Sequence, residues 1–409
     1  MKFNLLILLL FSAYSCASQI PESNSTNSNG NAVNFIVPST TILNNSNQNG
    51  WSDTTVYLND NSIEKKDKDK TEKKVGTRSL TEVKNSEQLL EKSINQKVVI
   101  TTEFSKTKSI STNQKTQRSP TPQMQQTLDS KVDELEVIAP TSFEYNLFNY
   151  SAGNYDVSRE ESLKIAELQQ PGSIEVLKLS AANALVKGDT LNAKEYLNQL
   201  EFRHVIQVET IDYTSDVIQS AAGNSTLITH GFNDSYGVYQ NQLNNNRDQN
   251  LSVISLDFMQ SQSYRAILST KGYDIPNQND VNVAYLKSFC ELNADKNIAI
   301  SMTLPKEYLI PIQSKLYPSG LVFEYRESST ISNNERLEDL WNNQLNKKVI
   351  TTYKSSLSNA YAGNYLPMLI YLRTYYEQQN ELNNQQRIGK DIQQVELKSG
   401  KSTSLKKRN

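Results

Sequence analysis

The run Ser225-Thr226-Leu227-Ile228-Thr229 passes without a break into His230-Gly231-Phe232-Asn233-Asp234-Ser235-Tyr236, and this passage decides the fold. A short β-rich segment ends at a glycine, and Asn233-Asp234 open a helix that runs to about Leu243. The alternation then continues. Leu251 to Leu256 reads as a second strand, Tyr264, Ile267 and Leu268 mark a helix, and Leu286, Phe289 and Cys290 mark another. Ile298 to Thr303 is a third strand. Pro305 suits the first turn of a helix carrying Leu309, Ile312 and Leu316 on one face, with Pro311 as a kink. Gly320 to Tyr325 closes the series as a fourth strand and, following its helix closely, is a candidate edge strand. Strands alternating with helices predict an α/β domain over 206–327, with a small, mostly parallel sheet and helices on both faces.

Helices flank it. Over 144–205 the clearest pattern is Leu177, Ala181, Ala184 and Leu185 on one helix, a Gly188-Asp189 turn, then Ala193, Tyr196, Leu197 and Leu200 on the next. Small alanines before a Gly-Asp turn and an Ala-x-x-Tyr-Leu helix resemble a tetratricopeptide-like hairpin. A C-terminal helical segment, 328–395, carries the stripe Tyr365, Leu369, Leu372 and Tyr376. Ala-Gly-Asn-Tyr occurs at Ala152–Tyr155 and again at Ala362–Tyr365, as a worn repeat or by chance.

The first third is different. Residues 1–17 read as a secretory signal: Lys2, an apolar run from Leu5 to Phe11, then small residues around Cys16. The run falls short of the roughly 20 residues a spanning helix needs. Cys16 after small residues resembles a lipobox, in which the thiol takes a diacylglycerol; the other reading is ordinary cleavage after Ala17. Residues 18–140 are dominated by Asn, Ser, Thr, Gln and Lys, so a disordered tether is expected. A coil of about 110 residues spans roughly 60 Å. The Lys-rich stretch 396–409 reads as a disordered basic tail.

Composition excludes several classes of function. Lys+Arg 42 against Asp+Glu 44 leaves no basic footprint for nucleic acid. Two cysteines and two histidines make no cluster at metal-ligand spacing, and no cofactor motif is present. Gly400-Lys401-Ser402-Thr403 mimics the end of a phosphate loop, but Val395 stands where a glycine is required. Cys290, spaced from Val283 and Leu286 as on a helix face, reads as a buried thiol. His204 has no partner at motif spacing.

The candidate ligand site is therefore the loop after the first strand, with His230, Gly231, Asn233, Asp234 and Tyr236. Ligands of open α/β sheets bind at the carboxyl ends of strands, and a helix start there offers free N–H groups. The competing reading is structural, with Gly231 as turn and Asn233 or Asp234 as helix cap.

Leu227 to Tyr236, with Val253-Ile254-Ser255-Leu256 and the later Gly320-Leu321-Val322-Phe323-Glu324-Tyr325-Arg326, resembles the soluble C-terminal domain of Bacteroidetes-type multi-spanning membrane proteins. Those are classed as glycosyltransferases of the protein O-mannosyltransferase-like kind. The resemblance covers about Ala221 to Glu327. Its Asn-Gly-Asp-Asn-Asp-Thr loop is matched by identity only at Gly231, Asn233 and Asp234; His230 and Phe232 replace an Asn and an Asp, and Ser235 stands for Thr. The membrane half that would hold transferase chemistry is missing from this sequence, so the resemblance implies an accessory periplasmic domain.

Together these features lead us to expect an exported envelope lipoprotein, facing the periplasm or the surface and held at the outer membrane by its lipid alone. The expected role is a non-enzymatic binding or scaffold module for a protein partner or an envelope glycan. The alternative is a sugar- or small-ligand-processing domain using the His230–Tyr236 loop; a third is a surface-displayed protein self-associating through Asn/Gln-rich segments.

Overall fold

The computed structural model describes residues 80–244, 250–326 and 334–401. The signal segment with Cys16, the tether up to residue 79 and the tail beyond residue 401 lie outside the described residues.

Among the described residues, α1 (Leu80–Thr112), α2 (Pro122–Ile138), α3 (Phe143–Ala152), α4 (Glu160–Gln169), α5 (Ile174–Lys187) and α6 (Thr190–Phe202) precede the sheet domain. The expectation of disorder through residue 140 is overturned over α1 and α2. Ile100 and Phe104 of α1, and Leu128, Val132 and Leu135 of α2, are buried in a core shared with Leu147, Phe148, Tyr150, Leu163 and Val176. Apolar residues are sparse here, but they recur at i, i+4 and i+7, so the few available fall on one helical face. Phe104 stacks on Phe148 with ring centroids 4.1 Å apart. Thr121 caps α2, its hydroxyl accepting from Met124 N–H at 3.3 Å, with Pro122 in the first turn.

The α5–α6 hairpin forms as its sequence predicts. Gly188 ends α5 in the left-handed region and Asp189 caps α6 through Asn192 N–H at 3.2 Å.

The sheet domain follows as α7 (Val208–Ser220), β1 (Thr226–Thr229), α8 (Gly231–Asn244), β2 (Ser252–Ser255), α9 (Gln262–Thr270), α10 (Val283–Leu292), β3 (Ile298–Ser301), α11 (Lys306–Leu309), β4 (Leu316–Ser319) and β5 (Val322–Tyr325). The five strands lie in the order β2-β1-β3-β5-β4. β1 is parallel to β2 and β3, whereas β5 is antiparallel to β3 and to β4. The sheet is therefore mixed rather than mostly parallel. All residues of β1, β3 and β5 are buried, and alternate residues point to opposite faces, so both faces are covered there.

The additional strand, β4, comes from residues expected to finish a helix. Pro311 lies in the first turn of a 3₁₀ segment, Ile310–Lys315, that follows the shortened helix, and Leu316 enters the sheet. Pro318 is tolerated because β4 is an edge strand; β5, expected at the edge, is internal. Gly320-Leu321 make the two-residue turn between them, with φ +65° at Gly320. A Cβ there would lie 2.6 Å from Leu340 Cδ2, so the site is closed to other residues.

The C-terminal part holds α12 (Asn334–Asp339), a π-helical turn Leu340–Gln344, α13 (Lys348–Thr351), α14 (Ser356–Ala362), α15 (Leu366–Gln378) and α16 (Leu382–Ser399). The helix continues past residue 395, where a disordered tail was expected, to a left-handed Gly400. Val395 is buried, which anchors this last turn. The two Ala-Gly-Asn-Tyr copies differ in backbone: Asn154 and Tyr155 have positive φ, while Gly363–Tyr365 form a 3₁₀ turn leading into α15.

Replacing Phe104 by Ala should cost about 3–5 kcal/mol of unfolding free energy, the usual penalty for an emptied aromatic site. Chemical denaturation of the parent and F104A chains checks this. An unchanged midpoint would mean that α1 contributes no packed core.

Candidate functional site

The carboxyl ends of β1, β2 and β3 meet where the sequence places its candidate loop. Gly231 begins α8 with φ +67°, turning the chain sharply from strand into helix. Asp234, one turn in, reaches back: its Oδ2 accepts from His230 N–H at 3.2 Å and its Oδ1 from the Ser301 hydroxyl at the end of β3, at 3.0 Å. Ser301 and Thr303 hydroxyls lie 3.0 Å apart, and the Thr303 hydroxyl lies 3.4 Å from His230 Nδ1. Below this layer, Ser235 links Thr229 to Ser255 through two 3.0 Å hydrogen bonds, tying β1 to β2.

Asp257, two residues past β2, completes the cluster. Its Oδ2 accepts from Gly231 N–H at 2.5 Å and its Oδ1 from Arg118 Nε at 2.6 Å. Arg118 comes from the connection between α1 and α2 and is buried.

The structure thus brings together His230, Gly231 and Asp234. Asn233 is buried in the first turn of α8. Tyr236 is directed elsewhere: its hydroxyl donates to the Lys178 carbonyl of α5 at 2.8 Å, and its ring packs on Phe232, over which Lys178 Nζ sits. Sequence reasoning missed Asp257, Ser301, Thr303 and Arg118. The first three had a usable signal, because each lies at or just beyond the carboxyl end of a strand. Arg118 had none, lying in a polar stretch without a recognisable element.

Burial and the Arg118 charge push the His230 imidazole down to about 3, with Asp257 opposing. Burial pushes the Asp234 carboxyl up to about 6, against hydrogen bonds from Thr303, His230 and Ser301. For Asp257, burial also works against the charged form, but the Arg118 guanidinium beside it holds its carboxyl below the usual range. Near neutral pH the cluster therefore holds a neutral imidazole beside an Arg118–Asp257 ion pair. The His230 and Gly231 N–H groups both donate to carboxylates, so the positive end of α8 is already met from within the chain.

Among the described residues, no group of three or more His, Cys, Asp or Glu is placed to hold a metal ion, and no helix is long and apolar enough to cross a membrane. Cys290 is buried without a disulfide partner, and burial pushes its thiol up, well away from a reactive thiolate. His204 is exposed, in the left-handed position after α6. Compared with models of protein families, with curated proteins and with solved structures, the chain matches none. The glycosyltransferase-domain resemblance accordingly rests on the quoted residues alone.

The two shifted groups give opposite pH terms. Asp234 binds its proton more tightly when folded, so its contribution is full below its ordinary value of 3.8 and is lost as pH rises through about 6. His230 resists its proton when folded, so its contribution is full above 6.5 and is lost as pH falls toward about 3. Between about pH 6 and about pH 4 the two offset one another. Removing one should expose the other: Asp234→Asn should lose about 1.4 kcal/mol more than the parent per pH unit of acidification, and His230→Gln should gain by a similar slope. Denaturation midpoints at several pH values read these slopes. Parallel curves for all three chains would contradict the assignment.

Proposed function

We propose that this chain is an exported, lipid-anchored scaffold of the cell envelope that binds a protein partner through its outer helical surface and runs no reaction. The observation that carries this reading is on α6. Leu191 and Phe202 are 82% and 84% exposed, although the opposite face of the same helix buries Ala193, Leu197 and Leu200. They border a shallow depression of about 560 Å³ lined also by Lys194, Glu195, Asn198, Gln199 and Arg203. Residues 191, 195, 198 and 202 follow helical spacing, so they form one outward stripe. Apolar groups at a rimmed depression, with charges of both signs beside them, suit a protein surface.

The helical pairs support the scaffold reading. α1–α2, α3–α4 and α5–α6 pack as pairs, and each pair packs on the next. This agrees with a short tetratricopeptide-like array, for which about three units are the minimum stable stack. Envelope placement is supported by the signal-like Met1–Ser18 sequence and by Cys16. The periplasmic accessory-domain resemblance points the same way and carries no transferase step.

Two experiments test it. Pull-downs from detergent-solubilised envelopes should recover a partner with the parent chain and lose it with Leu191→Asp/Phe202→Asp. The double variant should unfold at the parent's midpoint, because both side chains are exposed. Recovery of no partner, together with turnover of a sugar substrate, would sink the reading. Separately, labelling with a fatty-acid analogue should be lost in Cys16→Ala; label retained in that variant would remove the lipid anchor.

A further inference from the structure

In the order β2-β1-β3, the connection leaving β1 runs to one side while β3 lies on the other. The connections diverge there, and this is the crevice where α/β sheets take ligands. It is filled from within. The segment 113–120 crosses it as a strap between α1 and α2. Val283 N–H donates to the Thr116 carbonyl at 3.1 Å, Arg118 N–H to the Val281 carbonyl at 2.7 Å, and Val281 N–H to the Ser119 hydroxyl at 2.9 Å. Gln117 and Asn282 form an antiparallel bridge. From the strap, the Arg118 side chain, 5% exposed, enters beside Asp257.

We propose that Arg118 is an internal stand-in for an external guanidinium, and that the strap opens to let an arginine side chain take its place on Asp257. The chemistry of the crevice selects the ligand class. Asp257 Oδ2 is held by Gly231 N–H, which leaves Oδ1 for one charged donor. An anion is disfavoured, since two carboxylates already face the start of α8. A planar guanidinium meets a buried carboxylate with less hydration to lose than an ammonium ion. The arrangement is also suited to opening. The buried apolar side chains of α1 and α2 belong to a core separate from that of the sheet, and the strap is tied to the sheet domain through its hydrogen bonds to Val281 and Val283 and the Arg118–Asp257 ion pair. The proposal is independent of the α6 surface, and either stands if the other fails.

Hydrogen exchange of the full chain tests it, with Nα-acetyl-arginine amide, an arginine-containing tripeptide, and the glutamine counterparts of both. The arginine forms should raise exchange at the Arg118, Val281 and Val283 amides saturably, by roughly tenfold, and the glutamine forms should not. A response to both arginine forms assigns a small molecule; a response to the tripeptide alone assigns a protein partner. Arg118→Ala should bind the active form about tenfold more tightly than the parent, because no strap must first open. Asp257→Asn should abolish the response. Strap amides that exchange only with the rest of the sheet, with or without arginine, overturn the proposal, and this measurement on the parent chain decides even if Arg118→Ala does not fold.

Discussion

Asp257 imposes the constraint on which the arrangement of this molecule turns. A carboxylate out of water costs several kcal/mol unless a charge and hydrogen bonds answer it. Here the answers come from two distant parts of the chain, the Arg118 guanidinium and the Gly231 N–H. Satisfying this group fixes the strap, the end of β2 and the start of α8 together. Removing one partner of such a pair costs about 3–5 kcal/mol, whereas replacing both by apolar groups is often neutral. On this reading, the ion pair supplies position more than stability, by drawing Arg118 to Asp257.

The same device recurs across the sheet domain. Asp216, buried in α7, accepts from Asn346 N–H at 2.8 Å, Lys347 N–H at 3.0 Å and the Tyr365 hydroxyl at 2.7 Å, and so ties α7 to the C-terminal helices. Glu324 in β5 is met by Arg336 at 2.9 Å, which also reaches the Ser220 and Ala222 carbonyls. A chain with 37% hydrophobic residues builds its interior in the same spirit. Many of its largest fully buried side chains are tyrosines, and the hydroxyls find partners: Tyr150 on Asn183, Tyr361 on Thr210, Tyr308 on the Val281 carbonyl. Tyrosine contributes apolar area with a polar tip, provided the tip is bonded. A low hydrophobic fraction is therefore compatible with filled cores.

That substitution explains what was legible in the sequence. β1, β2, β3 and β5 were readable because short runs of β-branched, apolar or aromatic residues begin one or two positions after Asn224, Asn250, Asn297 and Gly320, and the α5–α6 hairpin because Gly188-Asp189 is a strong stop and start. α1 and α2 were hidden: a polar background swamps a stripe as thin as Ile100–Phe104 or Leu128–Val132–Leu135, though Thr121-Pro122 carried a helix-start signal. β4 was hidden because Pro318 argues against a strand until the strand is known to be an edge. Within the candidate site, His230, Gly231 and Asp234 were found by their place after β1. Ser301, Thr303 and Asp257 shared the signal of a place at or just beyond a strand's carboxyl end, but joining them to that loop needed the strand order. Arg118 needed the tertiary fold, because its partner is 139 residues away.

A site assembled this way carries a functional consequence. Polar groups that converge at the end of a sheet either wait for a ligand or satisfy each other. In this cluster Asp234 is answered by His230 N–H and Ser301, and Asp257 by Gly231 and Arg118. Burial keeps His230 neutral near pH 7, so it adds no charge to the balance. The resting crevice is electrostatically complete, and a ligand gains only by replacing a group already there. Arg118 differs from the other members in coming from the connection between α1 and α2 rather than from an element of the sheet domain. The outer stripe of α6 has the reverse character, with its apolar groups facing water and nothing within the described fold to cover them. In the crevice cluster the buried polar groups thus serve the chain's own architecture.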